Sequence, residues 1–542
     1  MSESTPAAAP AGAAGDAGEK TGWYPGYDGP EWPPVRLLVG FFLMVLGMFM
    51  AVLDIQIVAA SIGDIQAGLA ASPDEASWVQ GSYLIAEIIM IPLSGYLSRA
   101  LSTRVMFSLS AAGFTLASIL CATATSMEEM ILYRAIQGFL GGGMIPSIYA
   151  SMILVFGRSR QKTMMVVVSL IVTMAPTVGP TLGGWITDAI SWHWLFLVNV
   201  VPGIIVAAGV WLCVEGLDKP DYALLRRVDL LGLLLMAVFL GCLEYVLEEG
   251  AKDQWFEDGT IFWLTVISVS AGVAFIWRTL TVKEPIVNLR IFGNYNFTLG
   301  ALLGSLVGIG LFGLVYIFPL FLGRVAGLSS VQIGTVLSIS GIAMILGAPV
   351  TGFLQKHVDL RFLAVIGMAM LAYATWMTHT LTADWRFHEL IVPQVLRGFG
   401  LILCLSTLSA ISFATLPIDR LKDAGGLYTL CRNLGGAFGL AFINTVLQWR
   451  ENFHWSRLGE HLNHGRPEVE AWLGGVEQRM TDLGLPDPTG AAIKQLLLLF
   501  QREVTVLSYA DCLALLGGIF FVVAVLPLLL KPARGAAGGE AH

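Results

Sequence analysis

The sequence predicts an all-α polytopic membrane protein with 14 transmembrane helices, and three observations lead there. Of its 542 residues, 56% are apolar and only 13% charged, with a mean hydropathy of +0.72; an ordinary soluble domain is about 25% charged. The apolar residues gather into fourteen stretches, each close to the roughly 20 residues that cross a hydrocarbon core. Basic residues are plentiful in every second connection and sparse in the others, as the positive-inside rule requires. A formal charge of −8 and a pI near 5.5 argue against nucleic acid as a partner.

Residues 1–35 are rich in Ala, Gly, Pro and acids and lack the apolar core of a signal peptide, so they read as a disordered cytoplasmic tail. Spans 1 to 6, at 36–60, 76–97, 104–123, 129–154, 163–187 and 194–214, form an N-terminal unit, 36–215. Spans 7 and 8, at 229–248 and 260–280, fill a middle region, 216–290. Spans 9 to 14, at 297–322, 331–354, 361–381, 390–415, 424–447 and 504–530, form a C-terminal unit, 291–530, and 531–542 is a second tail. With the N-terminus inside, inner loops receive pairs and triplets such as Arg158, Arg160 and Lys162, whereas the short outer loops receive only Lys252, Arg324 and Arg386. The long outer loop, 448–503, holds two amphipathic segments, WRENFHWSRLGEHL and PEVEAWLGGVEQRMTDL.

Span 5 carries the string TMAPTVGPTLGGW, 173–185. Pro176 and Pro180 are one turn apart, as are Gly179 and Gly183, with Gly184 beside them. In a soluble helix these residues would cost several kcal/mol. In a membrane, small residues at this spacing bare a strip of backbone for a neighbouring helix, and freed carbonyls find partners in protein or water. The chain also repeats itself weakly. RAIQGFLGGG in span 4 matches VLRGFGLILC in span 12, and TLGGW in span 5 matches NLGGAFG in span 13. The offsets, from 138 to 398 and from 183 to 435, are 260 and 252 residues. Six spans occupy only about 180 residues at the spacing of the first six, so the excess equals spans 7 and 8. Two six-helix bundles with an extra helix pair between them follow.

These strings resemble the fourteen-span drug:proton antiporters of the major facilitator superfamily, EmrB type, over about residues 40–530. APTVGPTLGG is similar to their antiporter motif, AVLDIQIVAASI in span 1 keeps the Asp54 of theirs, and span 4 supplies the motif arginine, Arg134. The loop motif after span 2 departs from the superfamily pattern: GYLSRALSTR keeps Gly95 and Leu97 but has Arg99 where a gating aspartate belongs, so a salt bridge through that aspartate cannot be carried over. The resemblance implies the major facilitator superfamily fold, alternating access, a bacterial inner membrane with both termini cytoplasmic, and drug export driven by protons. It also implies a periplasmic membrane-fusion adaptor and an outer-membrane channel that work with 448–503; a capping hairpin without a partner is the alternative.

Charged groups inside a bilayer cost at least about 2.5 kcal/mol each and so line cavities or pair. Asp54 and Glu87 are the candidate proton carriers, since coupling needs a carboxyl that loads and unloads as access alternates. Arg134 is the candidate counter-charge, sensing or permanent. Glu87 is equally a candidate substrate contact, with Tyr83, Met48 and Met144 as an adaptable apolar lining and Arg397 and Arg432 as partners for anionic groups. Arg432 could equally cap the inner end of its helix. Glu244 reads as an interfacial acid reached by water, and Asp511 as interfacial. Six cysteines lie in apolar stretches without CxxC spacing, and His454, His461 and His464 make no metal site. No cofactor is expected: no GxxxxGK[ST] is present, and no catalytic constellation points to an enzyme. The partners expected are lipophilic small molecules, protons and the lipid bilayer. A dedicated exporter of one metabolite, such as a siderophore or fatty acid, and a non-transporting sensor or scaffold are the competing readings.

Overall fold

The computed structural model describes residues 32–460, 462 and 466–532. Most of the N-terminal tail, nearly all of the C-terminal tail, His461 and His464 lie outside the described residues. Among the described residues, fourteen helices are long and apolar enough to cross a membrane: Val35–Ala59, Glu75–Leu101, Thr103–Ala122, Met127–Phe156, Gln161–Ala189, Trp194–Cys213, Leu230–Glu249, Gly259–Thr281, Tyr295–Arg324, Val331–His357, Leu360–Thr380, Phe387–Ala414, Leu421–Gly459 and Pro488–Leu529. They are spans 1 to 14 in order. An even number of spans puts the outer ends of spans 1 and 14 on one side, here called the terminal face; the opposite side is the hairpin face.

Spans 1 to 6 pack among themselves, and spans 9 to 14 do the same. The two bundles meet along two seams, span 5 on spans 10 and 12, and spans 2 and 4 on span 13. Span 7 lies outside the second seam against spans 2 and 13, and span 8 packs mainly on span 7.

Local chemistry sets the breaks. A Ser72–Glu75 capping box starts span 2. Ser102, at φ 79°, turns the chain sharply into span 3. The run Gly141-Gly142-Gly143 interrupts span 4, whose helix stops at Gly142 and resumes at Met144, a break that hydropathy alone does not show. Span 9 contains a π-helical turn at Ile309–Gly313.

Segment 448–503, expected as a long outer loop with two amphipathic segments, is built largely from the ends of two long helices. Span 13 is one helix of 39 residues, Leu421–Gly459, and the last span belongs to a helix that begins at Pro488. At 1.5 Å per residue the first is about 58 Å long, nearly twice a hydrocarbon core. WRENFHWSRLG therefore continues span 13 out of the membrane, and only the second amphipathic segment forms a separate helix, Pro467–Asp482. Arg450 and His454 of the extension hold Asp511 of span 14 at 2.5 and 2.6 Å, so this carboxylate joins the two long helices.

Candidate functional site

The first bundle encloses a polar network drawn from five spans. Asp54 Oδ2 accepts a hydrogen bond from Arg134 Nη1 at 2.5 Å, and its Oδ1 accepts from Asn199 Nδ2 at 2.7 Å and Gln137 Nε2 at 3.0 Å. Arg134 Nη1 also donates to Gln137 Oε1 at 2.6 Å, and its Nε donates to the Val79 carbonyl at 2.9 Å. Gln137 Nε2 donates to Ser118 Oγ at 2.8 Å as well. Both members of the ion pair are fully buried. Neither charge could stay in such a place alone, because removing one partner strands the other without water. Arg134 and Gln137 stand three residues apart on one helix face. Neutral Gln137, Asn199 and Ser118 complete the coordination; sequence reasoning gave them no role, though each is a polar side chain in an apolar span.

Arg134 also ties the network to span 2. Its guanidinium lies 4.3 Å from the Tyr83 ring, and Tyr83 donates its hydroxyl to the Ala51 carbonyl of span 1 at 3.2 Å. Span 4 approaches span 2 this closely because of glycines: a Cβ on Gly138 would land on the Tyr83 carbonyl, and one on Gly142 would stand 2.7 Å from the Glu87 carbonyl oxygen. Glu87, one turn beyond Tyr83, is 2% exposed, and its Oε1 has no partner. The positive charges acting on it most strongly are Arg432, in span 13 of the other bundle, and then Arg134.

Arg432 is buried well inside its helix and donates to the Tyr149 hydroxyl of span 4 at 3.2 Å; it does not cap the helix end. Tyr149 stacks on Phe413 at 5.2 Å, and Tyr428 closes against both. Arg397 is buried in the second bundle, where Nη2 donates to Ser340 Oγ at 2.9 Å and Nε and Nη1 have no partner. Met48 and Met144 lie in the core. Two cavities, of about 520 Å³ at the terminal face and 450 Å³ at the hairpin face, are lined by other residues; neither is the apolar chamber expected around Tyr83, Met48 and Met144. Glu244 is also not the water-reached acid expected: it is 6% exposed, because its face of span 7 turns toward span 2.

Span 5 is packed on both sides. Gly179 and Gly183 meet Gln56 and Ile57 of span 1, a Cβ on Gly183 standing 2.5 Å from the Ile57 carbonyl oxygen. Thr181 and Thr177 press into Gly334 and Gly341 of span 10, across the bundle interface. Pro176 and Pro180 lie inside this helix, and Gly184 is buried.

The terminal face is closed by polar contacts between bundles. Arg158 donates to the Ala414 carbonyl at 2.6 Å and to that of Leu416, at the C-terminal end of span 12, where cations are favoured. Gln161 Nε2 donates to the Ala410 carbonyl at 3.3 Å, and Lys162 Nζ to the Gln355 carbonyl at 3.3 Å. At the loop motif a bridge forms with reversed polarity. Arg99 Nε lies 3.2 Å from Asp423 Oδ1, a charge contact not aligned as a hydrogen bond. Lys422 beside it binds Asp218 and the Ser98 carbonyl, and Asp218 accepts from Thr103 Oγ1 at 2.7 Å. Gly95 makes room, since a Cβ there would stand 2.9 Å from the Lys422 carbonyl oxygen. Leu97 is partly buried against the hydrophobic core.

Two helical bundles facing each other across a seam, closed at one face and holding buried charges near it, define a membrane transporter architecture. The sequence profile of the Major Facilitator Superfamily matches residues 44–440. The chain is 38% identical to the colistin resistance protein EmrB of Acinetobacter baumannii over 92% of this chain and 98% of that one. It is 30% identical to the multidrug export protein EmrB of Escherichia coli K12, over 93% and 97%. It is 29% identical to the fatty acid resistance protein FarB of Neisseria gonorrhoeae, over 94% and 99%. Among solved structures, the human organic anion transporter MFSD10 superposes with a TM-score of 0.56 at 13% identity, over 91% of this chain and all of that one. The chain belongs to the major facilitator superfamily.

Proposed function

We propose that the chain is a proton-coupled exporter of amphipathic or lipophilic compounds, working by alternating access in a bacterial inner membrane with its terminal face cytoplasmic. The observation that carries this reading is the pair of buried carboxyls in the first bundle, Asp54 clamped by Arg134, and Glu87 against span 4 with an oxygen that has no partner. Protonating Asp54 removes the charge that holds Arg134. Arg134 grips span 2 through Val79 and Tyr83, so the release is felt by the helix that carries Glu87. One charge crossing about 100 mV supplies roughly 2.3 kcal/mol, enough for a gradient of nearly fifty-fold per proton. The resemblance to EmrB-type pumps supports the reading, as do relatives named for multidrug export and for colistin and fatty acid resistance.

The helical segments beyond the hairpin face, the end of span 13 from Arg450 to Gly459, the helix Pro467–Asp482 and the start of the helix from Pro488, supply a surface for a periplasmic membrane-fusion adaptor that hands cargo to an outer-membrane channel. A second reading, export of one anionic metabolite, is favoured by Arg397 and Arg432, two buried cations with unpartnered nitrogens. Proton release from inverted vesicles, on adding lipophilic cations and anions to wild type and Asp54→Asn, tests both. Antiport predicts release with wild type and none with the variant; release with anions alone selects the second reading. A correctly inserted wild type that responds to no compound would refute both.

A further inference from the structure

The internal repeat in the sequence is also a repeat in packing. Gly138 of span 4 and Gly398 of span 12 are each the twelfth residue of their span, and each lets its helix meet a backbone carbonyl of a neighbouring span. A Cβ on Gly138 would land on the Tyr83 carbonyl of span 2, and one on Gly398 on the Ser340 carbonyl of span 10. In this register Arg134 corresponds to Gln394 and Gln137 to Arg397. Both bundles thus carry one arginine and one glutamine, three residues apart on a single helix face, with their order exchanged.

The first bundle answers its arginine with Asp54; the second has no such group. Spans 9, 10 and 11 contain no Asp or Glu, and around the depth of Asp54 span 9 has Gly313-Leu314-Val315. Glu389 of span 12 is exposed and stands two turns before Arg397, about 12 Å along the helix. In spans 13 and 14, Asp423 faces Arg99 at the terminal face, Asp511 is held by Arg450 and His454, and Glu451 and Glu503 are exposed.

Arg397 and Gln394 are each 1% exposed. Arg397 Nη2 donates to Ser340 Oγ at 2.9 Å, and the guanidinium lies 5.6 Å from the centre of the Phe318 ring. Its Nε and Nη1, and both polar atoms of Gln394, have no partner among the described residues. In the first bundle the glutamine amide is met by Asp54, Arg134 and Ser118. A buried cation without a counter-charge, beside an unmet amide, is costly on both counts. One anion set between them relieves both.

We infer that Arg397, Gln394 and Ser340 form an anion site in the second bundle. It takes one monovalent anion, a halide or the carboxylate head of a cargo molecule, in the place that the Asp54 carboxylate holds in the first. Only the cargo source rests on the exporter reading above. The fork of Arg397 and the Gln394 Nε2 supply donors, as Arg134 and Gln137 do for Asp54. These atoms are shut off from solvent, so the anion exchanges through local opening of the bundle. The two halves then differ in kind: one arginine has a tethered partner that can be protonated, the other a partner that can leave.

Thermal unfolding of purified protein in detergent tests this, with chloride and octanoate each titrated against gluconate at constant ionic strength and pH. Wild type should show a saturable rise of about 2 °C or more with chloride, octanoate or both. Arg397→Met should lose the rise. Arg397→Lys, which keeps the charge without the fork, and Gln394→Leu should each need about tenfold more anion for half the rise. Arg324→Gln, an exposed arginine at the hairpin face, should behave as wild type. A rise with chloride alone assigns a resident ion, a rise with octanoate alone a cargo carboxylate, and a rise with both a shared site. No rise in wild type, or one that persists in Arg397→Met, overturns the site and leaves the exporter reading intact. Should Arg397→Met not fold, unchanged anion dependence in both Arg397→Lys and Gln394→Leu overturns it instead. A protein that binds chloride here but moves no compound in vesicles overturns the exporter reading and keeps the site.

Discussion

Consider the reversed bridge at the loop motif, and replace Asp423 with Asn. The Asp423 side chain is 4% exposed and that of Arg99 30%, with 3.2 Å between the charges. At an effective dielectric near 20 this attraction is about 5 kcal/mol gross. Desolvation of the buried carboxylate and partial screening of Arg99 offset more than half of it, leaving roughly 2 kcal/mol that exists only while the terminal face is closed. Losing it should shift the closed-to-open equilibrium by about thirtyfold, at 1.4 kcal/mol per tenfold. The assay is alkylation of a cysteine at Gln161, buried at the closed face beside Ala410, in a background without the six native cysteines. Asp423→Asn should label far faster than the parent, Arg99→Asp faster still because two carboxylates then face each other, and the double exchange Arg99→Asp with Asp423→Arg should return toward the parent rate. Equal labelling in all four proteins would refute the claim that this pair latches the face. So would a double exchange no slower than Arg99→Asp.

Three further outcomes follow from the same geometry. Arg134→Met strands a buried Asp54 and should lower stability by about 3–5 kcal/mol, whereas combining it with Asp54→Leu should cost less than the single change, read by thermal unfolding in detergent. Gly138→Ala places a methyl on the Tyr83 carbonyl and should destabilise by roughly 1–3 kcal/mol; Gly474→Ala, in the open on the helix Pro467–Asp482, should be neutral or stabilising by up to about 1 kcal/mol. Asp229 caps span 7: burial opposes its ionisation, but the hydrogen bond from Arg278 and the Gly232 N–H hold the carboxyl below the usual range. A depressed carboxyl stabilises fully above its ordinary value of about 3.9 and loses that contribution as pH falls through the lower folded value. Asp229→Asn should therefore melt below wild type at pH 7, with the gap closing on acidification.

The spans were legible in the sequence because lipid imposes a length and a composition on each of them. Asp54 and Arg134 were legible because a charge in an apolar run is rare enough to notice. Asn199 and Ser118 were not, since a neutral polar residue in a span is common and only its neighbours reveal a network. The burial of Glu244 was not legible either, because its face depends on where span 7 docks, and nothing within that helix specifies the neighbour. Hydropathy also shows where lipid ends, not where a helix ends, so the polar but helix-tolerant WRENFHWSRLG reads as loop. The Arg99–Asp423 bridge joins residues more than 300 positions apart, and the lost motif aspartate gave no hint that its polarity had been exchanged.

The two-sided packing of span 5 has a mechanical consequence. Against span 1 the contact is glycine on backbone, a fit with no slack, so these helices turn as one shaft. Against span 10 it is threonine methyls and hydroxyls seated in two glycine notches, Gly334 and Gly341, about two turns apart. A surface of that kind works as a bearing, with only small side chains set across it, and any side chain added at Gly334 or Gly341 would jam the rotation while leaving each bundle folded.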